Sequence, residues 1–252
     1  MDLKFQDPGL AYNVESARMF LYSGQGPQWR EAFCFFYPQI DRKKLEEPQC
    51  EAQEAYLGEA LAGVYQEVRE EIARKAEAYQ ACWQACAGEI EAAFSDAFSM
   101  EVRPLFNDIT ACITLNPVSP RFLAEHRFDV FFRNSDRGAL GVSLHELTHF
   151  LWFHKWREIF QDDPAQYETP ALQWILSEMA VHAVLGEERL AALNPYYPNE
   201  CVYECFYRMK IEGRPILEWL GEQYRAMPVE IFMKESYAFC LRHEEEIRRQ
   251  MF

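Results

Sequence analysis

The sequence predicts a predominantly helical α+β protein with a small sheet, and three observations lead there. Apolar residues recur at three- and four-residue steps through much of the 252-residue chain, the period of a packed helix. Two short β-branched or aromatic runs, residues 109–115 and 128–132, break that period. Soon after them, residues 142–160 contain neither Pro nor Gly and carry His145-Glu146-Leu147-Thr148-His149, a pattern whose chemistry requires a helix.

Taken in order, residues 1–48 give short aromatic runs punctuated by Pro8, Gly9, Gly24, Gly26, Pro27 and Pro38, so short helices and loops are expected. Residues 50–98 read as a long helix with a break near Gly88. Its stripe is Leu57, Leu61, Val64, Val68, Ile72, Tyr79, Trp83, Cys86, Ile90 and Phe94, and its other face is Glu-, Lys- and Gln-rich. The stripe is aromatic-rich and not a strict heptad, which favours a backing helix over a coiled coil. The runs Ile109–Leu115 and Phe128–Phe132 are the strand candidates, closed by Asn116-Pro117 and Asn134-Ser135-Asp136.

In the next helix Leu144, Leu147, Phe150 and Leu151 form the apolar stripe. Ser143 and Glu146 fit a capping box. An earlier start, with Asn134, Ser135 or Asp136 as cap, instead places Glu146 well inside the helix and is the reading adopted. Past the loop Gln161–Pro164, with Pro170 as first helical residue, residues 171–185 form a helix apolar almost all round, which must be buried. Residues 199–209, 215–226 and 228–250 are further helix candidates.

Composition limits the function. The formal net charge of −15 argues against a phosphate-backbone partner, since nucleic-acid binding rests on clustered Lys and Arg. The first residues show no basic stretch followed by an apolar run, and no segment is apolar enough to span a bilayer, so a cytoplasmic protein with no membrane partner is expected. The eight cysteines are expected to be reduced, with Cys82/Cys86 and Cys201/Cys205 as small buried hydrophobes rather than a second metal site. Nothing in the sequence fixes the oligomeric state.

The HExxH spacing carries the chemistry. Residues four apart on a helix lie one above the other, so His145 and His149 can share one metal ion. Glu146 is turned about 100° from His145 around the axis, placed to take a proton from an activated water. A catalytic zinc keeps three protein ligands. The third-ligand candidates are Glu158, Asp162, Asp163, Glu168, Glu178, His182, Glu187 and Glu188. Glu178 is preferred, being mid-helix in apolar surroundings where an unpartnered carboxylate is costly. The extended pattern HExxHxxGxxH fails, because Trp152 and Lys155 hold its glycine and third-histidine positions. His154, one residue off, is read as structural or exposed.

HELTH, followed by a helix carrying LSEMAVH, resembles the gluzincin group of zinc metallopeptidases across the two motif helices. The resemblance implies a zincin-like domain over residues 99–252, with a mainly helical region 1–98 packed on it. It implies Zn²⁺ on His145, His149 and Glu178, with Glu146 as general base and a peptide or protein as substrate. It also implies a Tyr or His donor to the oxyanion, with Tyr167 first and His182, Tyr203, Tyr207 and Tyr237 behind it. An edge strand, 109–115 or 128–132, would pair with an extended peptide. Ser177 and Met179 flank Glu178 where several gluzincin subfamilies carry other signatures. The competing reading is a non-catalytic protein of the same fold that binds metal or a partner.

Overall fold

The computed structural model describes residues 3–24, 26–47 and 49–251. The chain is mostly helical with a small sheet. It divides into two compact units, each discontinuous in sequence. One comprises residues 3–83 with Asp108–Ala139; the other comprises Gln84–Asn107 with residues 140–251.

In the first unit, strand β1 (Lys4–Gln6) precedes helices α1 (Leu10–Leu21), α2 (Gly26–Phe36) and α3 (Arg42–Glu46). Helix α4 (Glu51–Phe98) follows, and its residues up to Trp83 belong here. Strands β2 (Thr110–Thr114), β3 (Arg121–Phe122) and β4 (Arg127–Phe131) complete it. The sheet order is β1-β2-β4-β3, with β1, β2 and β4 parallel and β3 antiparallel at one edge. Thr110 sits opposite Arg127 and Thr114 opposite Phe131, so both expected strands exist within a residue of their expected bounds, but both are inner strands and neither is the edge expected to pair with a peptide. The N-terminal region gives the expected short helices but also the strand β1. Gln80 of α4 holds that strand through both ends of its amide, donating to the Leu3 carbonyl (3.0 Å) and accepting from the Phe5 N–H (3.1 Å).

The stripe of α4 is buried as its period requires, with Leu57, Leu61, Val64, Ile72, Tyr79 and Trp83 all inside. Contrary to expectation the helix does not break at Gly88. A glycine costs about 1 kcal/mol against alanine there, which many strong helix formers on either side absorb. Polar groups tie α1 and α2 to the sheet. Asp129 of β4 is fully buried and accepts from the Tyr12 and Ser16 hydroxyls (2.5 and 3.2 Å). Trp29 donates to Asn116 (3.0 Å) and Tyr37 to the Leu115 carbonyl (2.7 Å). Burial pushes the Asp129 carboxyl up to about 7, against the lowering effect of its hydrogen bonds from Tyr12 and Ser16.

The second unit holds the end of α4, helix α5 (Arg103–Phe106) and helix α6 (Asp136–Phe160) from Leu140 onward. Then come a 3-10 turn (Pro164–Tyr167), α7 (Leu172–Leu185), α8 (Glu188–Leu193) and α9 (Glu204–Arg208). The hairpin β5 (Lys210–Ile211) and β6 (Arg214–Pro215) leads to α10 (Ile216–Ala226), α11 (Val229–Arg242) and α12 (Glu244–Met251). The early start of α6 holds: Ser135 Oγ accepts from the Gly138 N–H at 3.0 Å, and Glu146 lies well inside the helix. Pro170 is not the first residue of α7, which begins two residues later at Leu172. All of α7 but His182 is buried.

Two further expectations need correction. The helix expected over 199–209 is only Glu204–Arg208. The hairpin after it turns on Glu212 and Gly213, both at positive φ (53° and 77°), a geometry that glycine tolerates and glutamate rarely signals. The helix expected over 228–250 is two, divided at His243, where φ is −116°. Among the described residues no helix is long and apolar enough to cross a membrane.

Candidate metal centre

His145, Glu146 and His149 project from the middle of α6 and form a group that can hold a metal ion, their ligand atoms all within 4.8 Å of one another. The histidine Nε2 atoms are 3.1 Å apart. Across from them α7 presents Glu178, almost wholly buried. Its Oε2 lies 3.4 Å from His145 Nε2 and its Oε1 3.4 Å from His149 Nε2.

These separations meet a simple fit test. Tetrahedral ligation with bonds near 2.0–2.1 Å spaces ligand atoms about 3.3–3.4 Å apart; the two imidazole nitrogens are 3.1 Å apart, and each has a different Glu178 oxygen at 3.4 Å. Two imidazoles and a carboxylate also form a donor set that first-row metals accept.

The surroundings fix which nitrogens face inward. His145 Nδ1 donates to the Cys201 carbonyl at 2.8 Å, which leaves Nε2 toward Glu178. The Cys201 N–H in turn donates to the Tyr207 hydroxyl at 3.0 Å. One turn before His145, a Cβ on Gly141 would stand 2.7 Å from the Tyr196 ring and 2.8 Å from Asn194 Oδ1. Glycine therefore lets this segment lie close against α6. On the other side the His149 ring stacks on Phe153 (6.4 Å, 16°), and Phe153 on Tyr167 (4.3 Å, 19°).

Electrostatics make the metal-free cluster a proton trap. Burial opposes charge on His145, but the Glu178 hydrogen bond and the carboxylates of Glu146 and Glu178 outweigh it and lift its pKa to about 9.

Of the expected third ligands, Glu178 is the one that the fold brings against both imidazoles. Asp162 accepts from Trp156 and Tyr167, Asp163 caps the 3-10 turn, and Glu187 caps α8 and pairs with Arg189. Glu158 is shared between His154 and Lys155 at the surface, while Glu168 and Glu188 are exposed. His154 is exposed, as expected. His182 donates from Nε2 to the Pro198 carbonyl at 3.1 Å, and burial lowers its pKa. The Tyr167 hydroxyl, expected to face a reacting oxygen, donates to Asp162 Oδ1 at 2.7 Å instead. None of the eight cysteines is in a disulfide. Cys201 is buried as expected, whereas Cys82, Cys86 and Cys205 are only half-buried.

The Cys201 carbonyl was not legible in the sequence as a partner of His145, because a main-chain acceptor leaves no mark on side-chain identity. No family model matches the chain, and no curated protein or solved structure matches it.

Proposed function

We propose that this protein is a zinc-dependent peptidase. The observation that carries the reading is the Glu178 carboxylate spanning the two histidine nitrogens at 3.4 Å each, with Glu146 beside them. In this reading His145, His149 and Glu178 hold the ion, and Glu146 is left free of ligation. When bound, zinc acts as a Lewis acid toward a peptide carbonyl and makes water more acidic.

The chain's own residues supply the rest. The Glu146 carboxylate takes the proton of the attacking water and hands it to the leaving amine. Its near-burial supports this role by keeping bulk water from competing for that proton. Cys201 and Phe153 hold the two imidazoles in orientation. Tyr167 supports His149 through the Phe153 ring, since its hydroxyl proton is engaged by Asp162.

The test is hydrolysis of a fluorogenic peptide library by the zinc-loaded protein and by Glu146→Gln. Cleavage that falls by at least about 100-fold in the variant, the scale of a lost general base, with zinc content unchanged, is the expected result. No cleavage by the zinc-loaded wild type leaves a metal-binding module and removes the peptidase reading.

A further inference from the structure

A cavity of about 330 Å³ opens at the C-terminal end of α7, enclosed by that helix, the segment around Tyr197, α9 and α10. Its walls include His182, Tyr197, Phe206 and Tyr207. The His182 ring centre is 5.2 Å from that of Tyr197 and 5.8 Å from that of Tyr207, so three rings line one side. Burial lowers the His182 pKa, and its Nε2 proton is already given to the Pro198 carbonyl. Gly186 belongs to this wall by necessity, since a Cβ there would stand 2.9 Å from the Tyr197 hydroxyl.

The rest of the lining is charged. Glu218 and Arg225 of α10 face the cavity from exposed positions. Seven residues apart, they share one face of the helix. Neither forms an ion pair or hydrogen bond with any described residue, including the other. The cavity thus combines apolar aromatic walls with one unpartnered charge of each sign.

A ligand that answers all three features is a zwitterion with an apolar body, and the spacing limits its length. Two helical turns separate Glu218 from Arg225 by about 10.5 Å along the axis. An extended dipeptide spans about 7 Å, and a charge-assisted hydrogen bond adds about 2.8 Å at each end. By this sum one amino acid reaches about 9 Å and a dipeptide about 12.6 Å, so the two bracket the separation, whereas a tripeptide overshoots it. The volume also lies at the small end of the roughly 300–1,000 Å³ of ligand pockets. We propose that this cavity binds a small zwitterion with an apolar body, an amino acid or a dipeptide. Its ammonium pairs with Glu218, its carboxylate with Arg225, and its apolar side chain lies against Tyr197, Phe206 and Tyr207.

This site is separate from the metal ligands and does not depend on peptidase activity. The test is isothermal titration calorimetry of the full chain with the dipeptide Leu-Phe and with phenylalanine, with a chelator present to keep hydrolysis out of the signal. Saturable one-to-one binding of at least one of them is expected, weakened at least tenfold by N-acetylation and by C-amidation. Arg225→Ala is expected to erase the difference between the free and amidated ligand, and Glu218→Ala that between the free and acetylated one. Both positions are exposed, so folding is not at stake. The proposal is overturned by an absence of saturable binding of both Leu-Phe and phenylalanine, or by capped forms binding as tightly as the free ones.

Discussion

Glu178 and His149 are 29 residues apart in the chain and 3.4 Å apart in the fold, carboxylate oxygen to imidazole nitrogen. The same carboxylate stands equally close to His145, so one side chain on α7 joins two on α6. Glu178→Gln keeps the shape and removes the charge. Metal affinity is expected to fall by at least the roughly 100-fold that a lost outer-shell partner can cost, with far-UV circular dichroism unchanged. In the metal-free variant the His145 pKa is expected to drop from about 9, because its largest raising contact is gone. Nitrogen-15 NMR titration of the imidazole reads that change directly, and an unmoved His145 would disprove the contact.

The raised pKa also sets a pH dependence. A histidine lifted from 6.5 to about 9 on folding adds stability to the metal-free protein that is complete below about pH 6.5 and lost as pH rises through 9. Metal binding runs the other way, because the ion must displace that proton. Apparent affinity is expected to rise about tenfold per pH unit between about 7 and 9 and then level off. The zinc-induced gain in Tm should therefore be larger at about pH 8.5 than at about pH 6.5. An equal gain at the two values contradicts the proton displacement.

Two glycines predict opposite outcomes for one substitution. Gly88 lies on the exposed face of α4, and a Cβ added there would meet no atom within 4 Å. Gly88→Ala is therefore expected to stabilise by up to about 1 kcal/mol through helix propensity. Gly141→Ala gains the same propensity but drives a methyl into Tyr196, and overpacking of that kind costs about 1–3 kcal/mol. Net destabilisation is expected, together with weaker metal binding, since the strained turn is the one before His145. Denaturant unfolding of both variants checks the signs.

Tyr167→Phe separates two roles for that residue. Loss of its hydrogen bond to Asp162 is expected to cost about 1 kcal/mol of stability. The retained ring still stacks on Phe153, so kcat is expected to stay within tenfold. A fall of about 10²–10³ would instead identify the hydroxyl as an oxyanion donor, able to leave Asp162 when substrate is bound.

The sequence was most informative where periodicity and chemistry coincide. The HELTH helix, the buried helix around Glu178 and strands β2 and β4 all stand close to where their patterns put them, because each has enough residues to show a period. Strand β1 is three residues long and held by Gln80, a side chain 74 positions beyond its end at Gln6. No window that short reveals a strand. The hairpin at Glu212-Gly213 lacks the Asn-Gly or Asp-Gly signal that marks such turns. At the site, ligand spacing was readable from α6 alone, whereas the placing of His145 by a main-chain carbonyl and the engagement of Tyr167 by Asp162 depend on tertiary packing.

The most direct measurement is the metal content of the purified chain by elemental analysis, after zinc is added back and excess removed, with His149→Ala and Glu178→Ala alongside. One zinc per chain in the wild type and none in either variant is the expected result. Zinc retained by Glu178→Ala would move the third ligand elsewhere, and a wild type that holds no metal would contradict the metal centre itself.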